Sequence, residues 1–135
     1  MKYLVDANVL SEPTKPAPNS VVVEWLKSQE HEIVVDPIIL GELRFGILLL
    51  PAGKRRSRME KWFVQGAGRL FCLPWDRNTG LRWAKLIADL RTSGQSMPVK
   101  DSLIAATALI HDLILVTRNN RDFLKAGIEV LNPFD

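Results

Sequence analysis

The chain has 135 residues, 47% of them hydrophobic, which suffices for the core of one ordinary domain spanning residues 1–135 and leaves no room for two. Eighteen Lys and Arg against fifteen Asp and Glu leave a formal charge of +3, a bias that permits a polyanionic partner without naming one. A single cysteine, Cys72, excludes an intramolecular disulfide and fits a reducing, cytoplasmic setting; Tyr3-Leu4-Val5 is too short for a secretory core, and no apolar run approaches the roughly 18 residues of a membrane span.

Tyr3–Val5 is a short apolar run ended by Asp6-Ala7-Asn8, the pattern of a buried strand that turns out into a loop. After the Pro-rich stretch Glu12–Pro18, Asn19 or Ser20 is placed to cap a helix carrying Val22, Val23, Trp25 and Leu26. Ile33–Val35 reads as a second strand. Asp36-Pro37 is a helix-start signal, because proline has its φ preset and lacks the N–H that the first turn leaves unused; that helix runs through Leu40, Leu43 and Ile47 to Pro51. Lys54–Arg69 follows as a helix, and Leu70–Leu73 as a third strand, in which Cys72 is expected to be buried.

Asp76 is placed to cap a helix over Arg77–Thr92, with Leu81, Ala84, Ile87 and Ala88 at helical spacing. Thr92–Met97 is a polar loop. Pro98 leads into an almost wholly apolar helix ending near Ile110, and Leu113–Val116 is a fourth strand as continuously apolar as the first, so both should lie centrally. Thr117–Phe123 is a turn opening a short helix, and Glu129–Leu131 is the last strand. Strands alternating with helices predict a three-layer α/β/α domain with a mainly parallel sheet of about five strands, and ligands at the strands' C-terminal ends.

Several motifs fail. Gly46 and Gly53-Lys54 are separated by six residues where a phosphate loop needs four, and Arg55 stands where Ser or Thr should meet magnesium. Asp6-Ala7-Asn8 lacks the second Asp of an aspartyl-phosphate site, there is no G-x-S-x-G elbow, and His31 and His111 have no partner at zinc spacing.

What remains is a distribution of carboxylates. Asp6 ends the first strand, Glu42 lies inside an otherwise apolar helix, Asp101 sits in the first turn after Pro98, and Asp122 follows the turn after the fourth strand. Each also has an ordinary structural reading: Asp6 satisfying a turn, Glu42 paired with Arg44 or facing solvent, Asp101 complementing a helix N-terminus, Asp122 capping a short helix. Jointly those readings weaken, since all four fall where a parallel α/β sheet forms its cleft. Clustered carboxylates must protonate or take up a cation, and all-oxygen ligation selects magnesium or manganese. An ion so held activates water for phosphodiester hydrolysis without a covalent nucleophile.

Leu4-Val5-Asp6-Ala7-Asn8-Val9-Leu10-Ser11-Glu12, Gly41-Glu42-Leu43-Arg44-Phe45-Gly46, Asp101-Ser102-Leu103-Ile104-Ala105-Ala106-Thr107-Ala108 and Val116-Thr117-Arg118-Asn119-Asn120-Arg121-Asp122-Phe123 resemble PIN-domain ribonucleases, in particular the VapC and FitB-like toxins of type II toxin–antitoxin pairs. The resemblance covers essentially the whole chain. It implies a magnesium- or manganese-dependent endoribonuclease in which Asp6, Glu42, Asp101 and Asp122 form the acidic quartet that holds the metal. Asn8, Thr117 and Asn119 match the polar supporting positions. It also implies a homodimer silenced by a small antitoxin whose C-terminal segment enters the acidic cleft, the pair acting together on operator DNA. Lys100 departs from the family pattern, which is apolar there; helix neighbours point about 100° apart, so Lys100 is expected to face away from the cleft.

Lys54-Arg55-Arg56-Ser57-Arg58 is the densest basic run, and Arg118 and Arg121 flank the quartet in sequence. Lys54, Arg55, Arg56, Arg118 and Arg121 are therefore candidate contacts to RNA phosphates, with a solvated surface as their ordinary alternative. With four of the fifteen acids gathered in one cleft, the surface around its mouth should be more basic than +3 suggests. Two rival functions remain open: a binding module whose acidic cleft docks a basic antitoxin peptide, and a nuclease acting on DNA.

Overall fold

In the computed structural model, which describes all 135 residues, the short apolar runs become the strands β1 (Tyr3–Val5), β2 (Ile33–Val35), β3 (Phe71–Cys72), β4 (Ile114–Val116) and β5 (Val130–Leu131). They form one sheet in the order β3-β2-β1-β4-β5, every pairing parallel, with Leu4 opposite both Val34 and Leu115. All three residues of β1 and of β2 are buried, although successive side chains point to opposite faces, so helices cover the sheet on both sides. This is the three-layer α/β/α arrangement, with β1 at its centre and β4 beside it.

Seven helices connect the strands: α1 (Ala7–Leu10), α2 (Ser20–Ser28), α3 (Pro37–Leu48), α4 (Lys54–Gln65), α5 (Arg77–Thr92), α6 (Val99–His111) and α7 (Asn120–Leu124). Their starts follow the local signals. Asn19, Asp36 and Asp76 each accept a backbone N–H of the helix they open, supplying acceptors that the first turn cannot find within itself. The core runs through Leu4, Val5, Ile39, Ile104, Leu115 and Phe123, all fully enclosed and each contributing about 1.5–3 kcal/mol by its removal from water. No helix is long and apolar enough to cross a membrane.

Three expectations need correction. Cys72 is exposed, because β3 is a two-residue edge strand with neither side covered; Leu73 is the residue that enters the core. The helix expected over Lys54–Arg69 ends at Gln65, and Ala67–Arg69 forms a separate 3-10 turn. A Cβ on Gly68 would stand 2.8 Å from the carbonyl oxygen of Phe63, so the tight return after α4 requires glycine. The stretch after β1 is not simply a loop: α1 starts directly at Ala7, and Glu12–Thr14 forms a 3-10 turn.

The chain moves outward from β1 to β2 to β3, then crosses back to β4 on the other side of β1. The order reverses at β1, and in open parallel sheets that reversal leaves a crevice beyond the strands' C-terminal ends. Asp6 follows β1 and Thr117 follows β4, so both stand at the crevice.

Candidate active site

Asp6 is 4% exposed and caps α1, its Oδ1 accepting the Ala7 N–H at 2.8 Å. Its Oδ2 accepts the Thr117 hydroxyl at 2.8 Å. That hydroxyl, fully buried, in turn accepts from Asn8 Nδ2 at 3.4 Å and from the Asn119 backbone N–H at 3.1 Å. Asn8 Oδ1 accepts the Arg118 N–H at 3.2 Å, closing a network that ties the end of β1 to the end of β4. Asn8 and Thr117 thus stand around Asp6 through their side chains, whereas Asn119 contributes its backbone amide.

Asp101 is 9% exposed in the first turn of α6, a turn that two indoles hold in place. Trp83 Nε1 donates to Ser102 Oγ at 2.9 Å, and Trp75 Nε1 donates to the Leu103 carbonyl at 3.0 Å. Glu42 projects from α3 and Asp122 from the first turn of α7. Asp6, Glu42 and Asp101 feel one another's charge, and Asp122 acts on Asp101. Burial pushes the Asp6, Glu42 and Asp101 carboxyls above their ordinary values; the charge of Asp6 adds to the rise at Glu42 and Asp101, and that of Asp122 to the rise at Asp101. For Asp6 the hydrogen bonds from Thr117 and Ala7 oppose burial.

Lys100 does not face away. Its ammonium lies 3.0 Å from Glu42 Oε2, and the fields of Glu42, Asp101 and Asp6 all raise its pKa, the direct bond to Glu42 most of all. The 100° offset along the helix is overcome by the long lysine stem, which lets the charge reach well beyond its own helix face. Arg44 plays no such part; its guanidinium points to Glu60 on α4, 3.5 Å away.

Asp36 went unrecognised as anything beyond a helix start. It is fully enclosed at the end of β2, with Oδ1 accepting the Ile39 N–H at 2.9 Å and Oδ2 accepting the Thr107 hydroxyl at 2.7 Å. Burial raises its pKa despite both bonds. It locks α3, the carrier of Glu42, to α6, the carrier of Asp101. Glu12 is a second such residue: nearly buried, it accepts the Asn19 N–H at 2.8 Å and pairs with Lys15 at 2.9 Å, which hold its carboxyl below the ordinary value. The only sequence signal for either was a carboxylate beside proline.

The candidate basic residues separate clearly. Arg55 lines a cleft of about 280 Å³ together with Asn8, Lys15 and Glu42. The same Arg55 and Lys15, now with Arg58, line an adjoining cleft of about 570 Å³. The mouth of the acidic site is therefore basic on this side. Arg56 is occupied within the fold, by Glu60 and the Leu50 carbonyl, each at 3.3 Å. Lys54 is exposed at the start of α4 and lines neither cleft. The Arg118 guanidinium lies over the Phe134 ring at 4.4 Å, and Arg121 is exposed on α7.

Asp6, Glu42, Asp101 and Asp122 offer carboxylate oxygens, the donors a hard divalent ion prefers, and Glu42 Oε1 is buried with no hydrogen-bond partner. Both observations fit magnesium or manganese. No three carboxylates yet surround a common point closely enough to form a ready coordination shell, as expected of acids that repel one another while one of them is held by lysine.

A five-stranded parallel sheet covered by helices on both faces, with acidic side chains beyond the ends of its strands, defines a three-layer α/β/α domain. The chain belongs to the PIN domain family, whose model matches residues 3–129. It is 37% identical to VapC ribonuclease Y4jK of Sinorhizobium fredii over 98% of this chain and 97% of that one. It is 36% identical to Toxin FitB of Neisseria gonorrhoeae, with 97% of each chain covered. A solved structure of FitAB bound to an IR36 DNA fragment superposes with a TM-score of 0.89 at 34% identity, covering 98% of this chain and 96% of the other.

Proposed function

We propose that this protein is a divalent-metal-dependent endoribonuclease and the toxin of a toxin–antitoxin pair. What supports the reading is the placement of Asp6 after β1, Glu42 on α3, Asp101 in the first turn of α6 and Asp122 in the first turn of α7, beside a groove lined by Lys15, Arg55 and Arg58. The naming of relatives as ribonucleases and as a toxin supports it.

Asp6 and Asp101 hold the ion, with Glu42 and Asp122 flanking it as ligands or as acceptors that orient water. A bound magnesium or manganese ion supplies acidification of water and neutralisation of charge on a phosphoryl oxygen. Thr117 and the Ala7 amide hold the two oxygens of Asp6 and so fix the orientation of its carboxylate. Arg55, with Arg58 beside it, holds the RNA backbone on phosphate, which supplies affinity with little sequence information. A homodimer, and a small antitoxin that covers the acidic cleft and carries the complex onto operator DNA, complete the reading; the solved structure of FitAB bound to a DNA fragment supports the DNA-bound pair.

The test incubates metal-stripped protein with RNA in magnesium or manganese, with a chelator control and Asp101→Asn alongside. Metal-dependent cleavage that the folded variant loses is expected. Undiminished cleavage by that variant refutes the site. Parallel single-stranded DNA distinguishes a DNA nuclease, and tight antitoxin binding without cleavage of any nucleic acid would instead mark a binding module.

A further inference from the structure

Resting on that metal-dependent reading, we propose that Lys100 is a resident cation of the cleft: it takes the place of a second divalent ion, holds Glu42 aside, and leaves Asp6 and Asp101 to bind a single ion. Lys100 Nζ is 3.0 Å from Glu42 Oε2, an ion pair that occupies one oxygen of this carboxylate and sets a positive charge where a second ion would approach it. The lysine side chain is 56% exposed and that of Glu42 22% exposed, so the ammonium enters the cleft from its rim and no packing forces it there. The draw is electrostatic, as Lys100 feels Glu42, Asp101 and Asp6 together.

A second divalent ion beside Glu42 would also sit against the Lys100 ammonium in a partly desolvated cleft, where like charges at close range repel strongly. The ammonium's remaining N–H groups stay free for an anionic substrate oxygen, a role that a lysine fills as a point charge.

Manganese alone is the probe. Metal-stripped wild type, Lys100→Met and Lys100→Arg are titrated with manganese, and free ion is followed by its electron paramagnetic resonance signal. One ion per chain is expected for wild type and for Lys100→Arg. Two are expected for Lys100→Met, with the first bound tighter by on the order of tenfold, the size of one unit charge removed at close range. Circular dichroism confirms that the variants are folded. Equal, non-zero stoichiometry and affinity in wild type and Lys100→Met overturn the role of Lys100 and leave the metal site standing. Absence of manganese binding in all three overturns the metal-dependent reading together with this one.

Discussion

Replacing Thr117 by valine keeps the shape of a fully buried side chain and removes one hydroxyl. That hydroxyl donates to Asp6 Oδ2 at 2.8 Å and accepts from Asn8 and Asn119. Asn119 is an exposed residue and its hydrogen bond to the hydroxyl is only partly buried, so the main loss is the bond to a carboxylate that is 4% exposed. A hydrogen bond to a charged group contributes about 1.5–3 kcal/mol, and for a chain of this size 2 kcal/mol lowers Tm by roughly 6–12 °C. The loss has a ceiling, because a carboxylate stripped of its donor takes up a proton instead.

The sign follows from linkage. The variant raises the folded pKa of Asp6 further above its unfolded value, so the deficit vanishes below the wild-type folded value, itself above the ordinary Asp value, where both native states hold the proton. It is complete only above the raised folded value. Urea denaturation of metal-free wild type, Thr117→Val and Thr117→Ser at pH 4.5 and 7.5 measures this. Thr117→Ser keeps the bond and loses only a methyl group, about 1 kcal/mol at both pH values. A Thr117→Val deficit below about 0.5 kcal/mol at pH 7.5, or one independent of pH, would refute the assigned role of the hydroxyl.

Metal-free protein should lose stability as pH rises through the region above the ordinary carboxylate range, because Asp6, Asp36, Glu42 and Asp101 all have raised values and the native state holds more protons there than the unfolded chain. Glu12, Glu32 and Asp76, whose values are lowered, act below that range and leave the trend intact; denaturation series with a chelator and with magnesium check it, the ion being expected to flatten the slope. Asp101→Asn should abolish cleavage yet raise metal-free stability at neutral pH, since it removes a charge that Asp6 and Asp122 repel; a fall in metal-free Tm contradicts this. Arg55→Ala, on an Asp101→Asn background, should reduce the slope of log affinity for RNA against log salt by about 1. Arg56→Ala should leave that slope unchanged, its guanidinium being engaged with Glu60 and Leu50. Filter binding at several salt concentrations separates them.

Features specified within a few neighbouring residues were legible in the sequence. The caps at Asn19, Asp36 and Asp76 were readable because a side-chain acceptor two or three residues before an orphan N–H is a local fact. The apolar runs Tyr3–Val5 and Ile114–Val116 announced central parallel strands because only strands covered on both faces are apolar without alternation. The acids were noticed because a parallel sheet gathers ligands at the ends of its strands, and this holds before the strand order is known.

Tertiary structure alone decided whatever depends on reach between distant segments. Cys72 had an apolar neighbourhood, but β3 became an edge strand, and edge position is a property of the completed sheet. Asp36 and Thr107 are far apart in the chain and meet because α3 and α6 pack at the same end of β2. Lys100 is the sharpest case. Backbone periodicity aims its Cα–Cβ bond away from Asp101, and periodicity was all that the sequence offered; a four-carbon stem ending in a charge follows the summed field of acids from three separate elements. The sequence by itself determined that this chain folds as a parallel α/β domain, because short-range patterning carries that, and it singled out the carboxylates at the ends of the strands and on the helices beside them. Only the folded chain determined which cation meets those carboxylates, because that outcome rests on distances between segments that the sequence leaves up to a hundred residues apart.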